Sequence, residues 1–165
     1  MQALAQKLRP HWPIVALLGS GALLAGAHAF ERFGGLAPCP MCLDQREWHW
    51  GVVTAAIVGI ILLRLRPSLD RIVAIALGLV LLGAAGMAAY HVAVEQKWIT
   101  ATCEANVDMG DIQAFNVGGT FVAPTCDTPA WTLLGISMAG YNAMISLALA
   151  LASFVVGFMP GRRNG

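Results

Sequence analysis

The chain has 165 residues, of which 58% are apolar and only 12% are charged, and its net charge is +1 at pH 7. Ordinary soluble domains carry roughly 25% charged residues, so this composition excludes that class of protein. The near-neutral charge also excludes a general electrostatic case for nucleic-acid binding, which needs clustered Lys and Arg. We therefore expect no nucleic-acid partner.

Four apolar segments are long enough to cross a bilayer core, which takes about 20 residues per helix. We predict spans at about residues 13–30, 42–63, 72–94 and 132–159, with outer loops at about 31–41 and 95–131. The short inner turn makes the second and third spans antiparallel neighbours. The sequence predicts one all-α domain over residues 1–165, an antiparallel up-down four-helix transmembrane bundle. In the long loop we expect at most a short helix, near residues 109–115.

The first span has a second interpretation. Lys7 and Arg9 precede an apolar run that ends in Ala27-His28-Ala29, and this pattern is also typical of a cleaved secretory signal. We favour a retained membrane span, with the cleaved signal as the alternative.

The basic residues are divided unequally between the two predicted faces of the membrane. Seven of the ten Lys and Arg residues flank the inner ends of the spans: Lys7, Arg9, Arg64, Arg66, Arg71, Arg162 and Arg163. The positive-inside rule then places both termini in the cytoplasm and both outer loops on the opposite side. The five tryptophans fall at predicted span ends, as expected of a belt at the lipid headgroups: Trp12, Trp48, Trp50, Trp98 and Trp131.

A redox-type CxxC motif, Cys39-Pro40-Met41-Cys42, lies at the start of the second span. On the outer side of the membrane disulfides persist. A helix N-terminus favours a thiolate. A disulfide across so short a spacing would remove little entropy from the unfolded chain, which argues against a purely structural disulfide. We therefore predict a redox role for Cys39 and Cys42.

Arg46 follows Cys42 by four residues and so lies on the same face of the predicted helix. Its guanidinium can stabilise a Cys42 thiolate or negative charge on a nearby acceptor. The alternative is an interfacial arginine that reaches lipid headgroups or pairs with Glu47. Beside a CxxC motif we favour the functional interpretation.

The remaining two cysteines, Cys103 and Cys126, enclose 22 residues of the long outer loop. A static disulfide there would contribute roughly 3 kcal/mol by loop closure. An accessible, labile disulfide would instead exchange with other thiols. With a second dithiol on the same side of the membrane, we favour exchange. A zinc site built from all four cysteines is the other option, but the second pair lacks zinc-knuckle spacing, so we expect no metal.

Three histidines lie near the outer ends of the predicted spans: His28, His49 and His91. Ionisable groups inside membrane spans are functional candidates, although a packing role is the common alternative. The sequence does not rank the three.

Taken together, these residues resemble the pattern of the bacterial disulfide bond formation protein B (DsbB) family of quinone-coupled membrane oxidases. The string P-C-P-M-C-L-D-Q-R at residues 38–46 is similar to the family's P-C-P-L-C-x-x-Q-R. Y-H at 90–91 and V-E-Q at 94–96 resemble the end of its third helix. Residues 131–138 match W-x-x-L-G-x-S-M at the start of its fourth. Ala139 stands where the family often has proline, and the long loop has a composition of its own.

The resemblance implies a relay of disulfide exchange in the bacterial inner membrane, with the cysteine loops in the periplasm. A reduced, DsbA-like periplasmic thiol oxidase would attack the Cys103–Cys126 disulfide and form a mixed disulfide at Cys103. Cys126 would then attack Cys39 and release Cys42 as a thiolate. Two electrons would pass to a membrane quinone beside Arg46, and the Cys39–Cys42 disulfide would re-form.

The same resemblance implies the cofactor and its site. The cofactor would be ubiquinone or menaquinone, held by Cys42, Arg46, His91, Met87 and Met138. The partners would be the periplasmic oxidase, the quinone and lipid.

Two other classes of protein remain open. A vitamin-K-epoxide-reductase-like enzyme would share the bundle, the thiols and the quinone, but its CxxC lies in a late span. A non-enzymatic, disulfide-stapled four-span scaffold would have inert disulfides and no quinone.

Overall fold

Four long helices make up most of the computed structural model, which describes residues 7–100, 103 and 125–159. They are α1 (Trp12–Gly34), α2 (Pro40–Leu65), α3 (Asp70–Glu95) and α4 (Met138–Phe158). Short 3-10 turns at Arg9–His11 and Pro67–Leu69 precede α1 and α3. All four helices are long and apolar enough to cross a membrane, so the predicted four-helix membrane bundle is confirmed. The helix expected near residues 109–115 lies outside the described residues.

The first outer loop is shorter than predicted. Helix α1 continues past residue 30 to Gly34, and α2 begins at Pro40 rather than near residue 42. Gly35 ends α1 in the left-handed conformation, with φ of 65°, and its N–H donates to the carbonyl of Phe30. Glycine adopts this C-terminal cap without a steric penalty. The chain therefore passes from α1 to the CxxC motif in only a few residues.

The predicted start of the fourth span near residue 132 is wrong. Residues Thr132–Leu133 and Ile136–Ser137 form two short antiparallel strands, β1 and β2. The turn residues Leu134 and Gly135 both have positive φ, 51° and 79°, which suits a two-residue hairpin and cannot continue a helix. Ser137 then begins α4 as an N-cap, since its Oγ accepts a hydrogen bond from the N–H of Gly140.

Within the described residues, α3 and α4 form the most extensive helix pair of the bundle, whereas α1 and α4 make much less contact. Small residues allow the close approach of α3 and α4. A Cβ placed on Gly78 would lie 2.8 Å from the ring of Phe154. Leu77 and Leu81, both fully buried, fill the centre of the apolar core. The bundle is therefore packed much more closely between α3 and α4 than between α1 and α4.

Buried polar side chains tie the inner end of the bundle together. Trp12 is only 6% exposed, and its Nε1 donates to Ser153 Oγ over 2.8 Å. The belt role predicted for Trp12 is therefore wrong: its ring packs in the core, where the indole N–H finds a hydroxyl partner. Arg9 is also buried and donates to the carbonyls of Val156 and Met159. These carbonyls end α4 and have no helical partner of their own.

Candidate functional site

The CxxC motif begins α2. Cys39 is the N-cap, and its Sγ accepts a hydrogen bond from the N–H of Cys42 over 3.3 Å. Pro40 occupies the first helical position, where a missing N–H costs nothing. Both thiols are free; Cys39 is 4% exposed and Cys42 is half-buried. Hydrogen bonding to Cys42 and burial raise the pKa of the Cys39 thiol, so Cys39 tends to keep its proton in the dithiol.

The second pair of cysteines forms a disulfide, Cys103–Cys126, with a Cα–Cα distance of 5.8 Å. Cys126 is fully buried against Cys39. The sulfur atoms of Cys39 and Cys126 and a ring nitrogen of His91 lie within 4.8 Å of one another. An oxidised pair therefore meets a reduced pair sulfur to sulfur, the arrangement that thiol–disulfide exchange requires. Such a cluster also resembles a metal site, but Cys126 is bonded to Cys103 and offers no thiolate.

His91 lies between the cysteines and the interior of the bundle. Its Nε2 is 3.7 Å from Cys39 Sγ and 3.9 Å from Glu95 Oε1. Its Nδ1 is 2.6 Å from the side-chain nitrogen of Gln45. Gln45 Oε1 in turn accepts a hydrogen bond from Asn142 over 2.7 Å. Residues of α2, α3 and α4 thus form one buried polar group below the CxxC motif.

The polar group continues to α1 through His49. His49 Nε2 lies 2.7 Å from Asn142 Oδ1, and His49 Nδ1 lies 3.3 Å from Ser20 Oγ. By contrast His28 is exposed, with its Nδ1 3.8 Å from Glu31. The structure therefore ranks the three histidines: His91 adjoins the cysteines, His49 supports the same polar group, and His28 lies apart.

Arg46 points towards α1. Its side chain is 13% exposed and pairs with the carboxylate of Glu31, while NH2 lies 3.4 Å from the carbonyl of Ala27. The acidic partner is therefore Glu31 and not Glu47, the neighbour suggested by the sequence. Arg46 and Cys42 line the same cavity.

A cavity of about 500 Å³ lies between the outer halves of α1 and α4. Its walls are mainly apolar, and the ring of Trp131 lies between those of Phe30 and Tyr141, with centroids 5.1 and 6.4 Å away. This size is within the range of small-molecule sites. Four of the five residues predicted to hold a cofactor line the cavity: Cys42, Arg46, His91 and Met138. The fifth, Met87, packs against the cluster formed by Cys39, Met41, Val94 and Cys126.

Sequence reasoning gave no role to several polar residues of the site. Gln45 and Asn142 link the helices, and Glu95, with a side chain only 4% exposed, accepts a hydrogen bond from Ser137. Glu31 holds Arg46. Their polarity within or next to apolar segments is the sequence signal that points to them, because burying an amide or a carboxylate in an apolar span is costly unless it has hydrogen-bond partners.

The family model for "Disulfide bond formation protein DsbB" matches residues 9–156. Among curated proteins, disulfide bond formation protein B of Marinobacter nauticus is 32% identical over 157 residues, covering 87% of this chain and 88% of the relative. The proteins of that name from Xylella fastidiosa and Methylococcus capsulatus are each 30% identical, over 155 and 153 residues. These alignments cover 86% of this chain in both cases, and 86% and 90% of the respective relatives. No solved structure matches the chain significantly.

Proposed function

We propose that this chain, which belongs to the disulfide bond formation protein DsbB family, re-oxidises a periplasmic DsbA-like thiol oxidase and passes the electrons to a membrane quinone. The bacterial periplasm is kept oxidising kinetically by such a DsbA–DsbB–quinone system rather than by a redox buffer. The observation that carries the proposal is the close approach of the Cys39 and Cys126 sulfurs beside an apolar cavity.

The relay begins at the outer pair. A thiolate of the partner attacks Cys103: a partner–Cys103 bond forms, the Cys103–Cys126 bond breaks, and Cys126 leaves as a thiolate. The second partner thiolate then attacks the partner sulfur of that bond. This step completes the partner's disulfide and releases Cys103 as a thiolate.

The electrons then move to the inner pair. Cys126 attacks Cys39 of an oxidised Cys39–Cys42 pair, so the Cys39–Cys126 bond forms and Cys42 leaves as a thiolate. Cys103 next attacks Cys126, which regenerates the outer disulfide and releases Cys39. The partner has lost two electrons and the inner pair has gained them. At the end of this sequence the outer pair is oxidised again and the inner pair is a dithiol.

The residues around the cavity fit a quinone. Apolar walls from α1 and α4 suit a lipid-soluble ring, and Arg46 and His91 bring polar groups to the end where Cys42 lies. A quinone bound there would accept the two electrons and two protons of the Cys39–Cys42 dithiol and become a quinol. Arg46 places positive charge near Cys42 and would stabilise negative charge on that thiol or on the bound ring. We further propose the bacterial inner membrane as the location, with cytoplasmic termini and periplasmic cysteine loops.

One experiment separates the roles of the two pairs. The Cys103→Ser/Cys126→Ser variant should lose oxidation of the protein partner but keep quinone-dependent oxidation of Cys39 and Cys42, because only the outer pair receives the partner's thiolate. The matched control, Cys39→Ser/Cys42→Ser, should lose quinone reduction entirely. If the first variant also lost quinone-dependent oxidation of Cys39 and Cys42, the two cysteine pairs would not act in separate steps. Inert disulfides and no quinone reduction in the wild type would favour a stapled scaffold.

A second experiment tests the sulfur-to-sulfur contact. In the Cys42→Ser/Cys103→Ser variant, the sulfur atoms of Cys39 and Cys126 should stay within 4.8 Å of each other, as they do in the structure, and have no other cysteine partner. Mild oxidation should join them, as peptide mass spectrometry without reduction would show. The matched control is Cys39→Ser/Cys103→Ser, which leaves Cys42 opposite Cys126 and should cross-link much less. Equal cross-linking in both variants would contradict an exchange route specific to Cys39.

A further inference from the structure

The orientation of the Gln45 amide is fixed by its neighbours. Its Nε2 lies 3.2 Å from the carbonyl oxygen of Met41, which can only accept a hydrogen bond. Its Oε1 accepts from the Asn142 side-chain nitrogen. The second N–H of Gln45 is therefore directed at His91 Nδ1, 2.6 Å away. A ring nitrogen that accepts a hydrogen bond carries no proton, so His91 is the neutral tautomer protonated at Nε2.

The same direction of donation extends through the bundle. Asn142 Oδ1 accepts from the hydroxyl of Ser146 over 3.0 Å. It also faces His49 Nε2, which therefore donates, and His49 Nδ1 is left to accept from the hydroxyl of Ser20. Every donor from Ser20 on α1 through His49, Asn142 and Gln45 to His91 points the same way. Hydrogen bonds aligned head to tail polarise one another and so reinforce this direction.

We propose that Gln45 and Asn142 are positioning residues that hold His91 neutral with its Nε2 proton directed at the sulfur of Cys39. This inference rests on the proposed function and adds residues to it that act through His91. Glu95 Oε1, 3.9 Å from the same nitrogen, and the backbone of Cys126 are the other nearby acceptors. Ser137 donates to the other Glu95 oxygen, Oε2, and Cys39 Sγ, at 3.7 Å, lies nearer to His91 Nε2 than Glu95 Oε1 does. The amide groups of Gln45 and Asn142 do not relay protons. This series of hydrogen bonds therefore orients His91 and does not transfer protons to it.

The N–H of His91 matters when Cys39 carries negative charge. When Cys103 attacks Cys126 of a Cys39–Cys126 disulfide, the Cys103–Cys126 bond forms, the Cys39–Cys126 bond breaks, and the electron pair stays on Cys39. A hydrogen bond to a charged group shifts such an equilibrium by roughly ten- to a hundredfold. A stabilised thiolate is also a weaker nucleophile, because the logarithm of the exchange rate changes by only about 0.4–0.5 of the change in thiol pKa. The net change in exchange rate is therefore about three- to tenfold.

The direct test is ¹⁵N NMR of histidine-labelled, full-length protein in detergent, with the His91 signals assigned through a His91→Asn variant. The wild type should show His91 protonated at Nε2 and unprotonated at Nδ1. Gln45→Met, which keeps the side-chain length without its polar atoms, should give a mixture of tautomers. Asn142 does not contact His91 directly. Asn142→Leu should therefore also give a mixture of His91 tautomers, but with a smaller change from the wild type. Ser153→Ala is the matched control, because it removes a buried hydroxyl that does not belong to the hydrogen bonds leading to His91.

The rate of exchange gives the second readout. In a Cys42→Ser background without quinone, Gln45→Met should slow the interchange between the Cys103–Cys126 and Cys39–Cys126 disulfides about three- to tenfold. Ser153→Ala should leave it unchanged. A wild-type His91 protonated at Nδ1, or an unchanged His91 spectrum in folded Gln45→Met, would overturn the inference. Neither measurement uses quinone or the partner, so failure of the proposed function would appear separately, as absent quinone reduction with the tautomer intact.

Discussion

Replacement of Arg46 is the most informative test of the charge beside Cys42. The guanidinium is anchored on α1 by Glu31 and the carbonyl of Ala27, and it lines the cavity together with Cys42. We expect Arg46→Ala to slow quinone reduction strongly and to weaken apparent quinone affinity. Arg46→Lys should fall between Arg46→Ala and the wild type, because lysine keeps the charge but not the planar fork of donors.

Magnitudes distinguish a catalytic contribution from loss of the ion pair alone. Glu31 is 40% exposed, and a pair open to solvent contributes at most about 1 kcal/mol, or roughly a fivefold change. Removing one preorganised donor beside a developing negative charge typically costs about 2.7–4 kcal/mol, a hundred- to a thousandfold loss in rate. Arg46→Ala should therefore lose far more than Glu31→Gln, which breaks the same ion pair but keeps the guanidinium in place. Glu31→Gln is the matched control.

The assay is steady-state quinone reduction with a dithiol donor, normalised to folded protein in detergent. If Arg46 only anchors the chain at the headgroups, Arg46→Ala will lower the membrane yield but retain wild-type kinetics per folded molecule. That result would remove Arg46 from the site. Equal losses in Arg46→Ala and Glu31→Gln would instead assign the effect to the ion pair between α1 and α2.

Three further predictions follow from exposure, packing and charge. In the reduced protein an alkylating agent should modify half-buried Cys42 before buried Cys39. Modification of Cys39 should become faster as pH rises, because its raised pKa keeps the thiol protonated at neutral pH, and site-resolved mass spectrometry measures both rates. Loss of the buried Trp12–Ser153 hydrogen bond in Ser153→Ala should lower stability by about 1 kcal/mol, seen as a lower thermal midpoint with unchanged activity per folded molecule. A tag near Asp111 should report the periplasm and a C-terminal tag the cytoplasm, and a cytoplasmic signal near Asp111 would refute the topology.

The parts of the site that could be predicted from sequence are those that local chemistry determines. Cys39 begins a helix because Pro40 suits its first position, and Arg46 follows on the face of Cys42 by helical spacing alone. The hairpin before α4 was missed because an apolar run conceals it, although Leu134-Gly135 is a turn signal. The Arg46–Glu31 pair joins two helices, and the spacing of residues in sequence carries no information about which acid α1 brings to α2.

The buried polar residues of the site join the helices of the bundle beside the open cavity. Gln45, Asn142 and His49 form hydrogen bonds between all four helices, and these bonds are costly to break where water cannot replace them. They fix the helices at the depth of the CxxC motif. The extensive packing of α3 against α4 fixes His91 and Glu95, whereas the smaller contact between α1 and α4 leaves room for the cavity. On the proposed function, a quinone would reach Cys42 through this cavity, which Cys39 also lines, while the sulfur of Cys126 lies within 4.8 Å of that of Cys39.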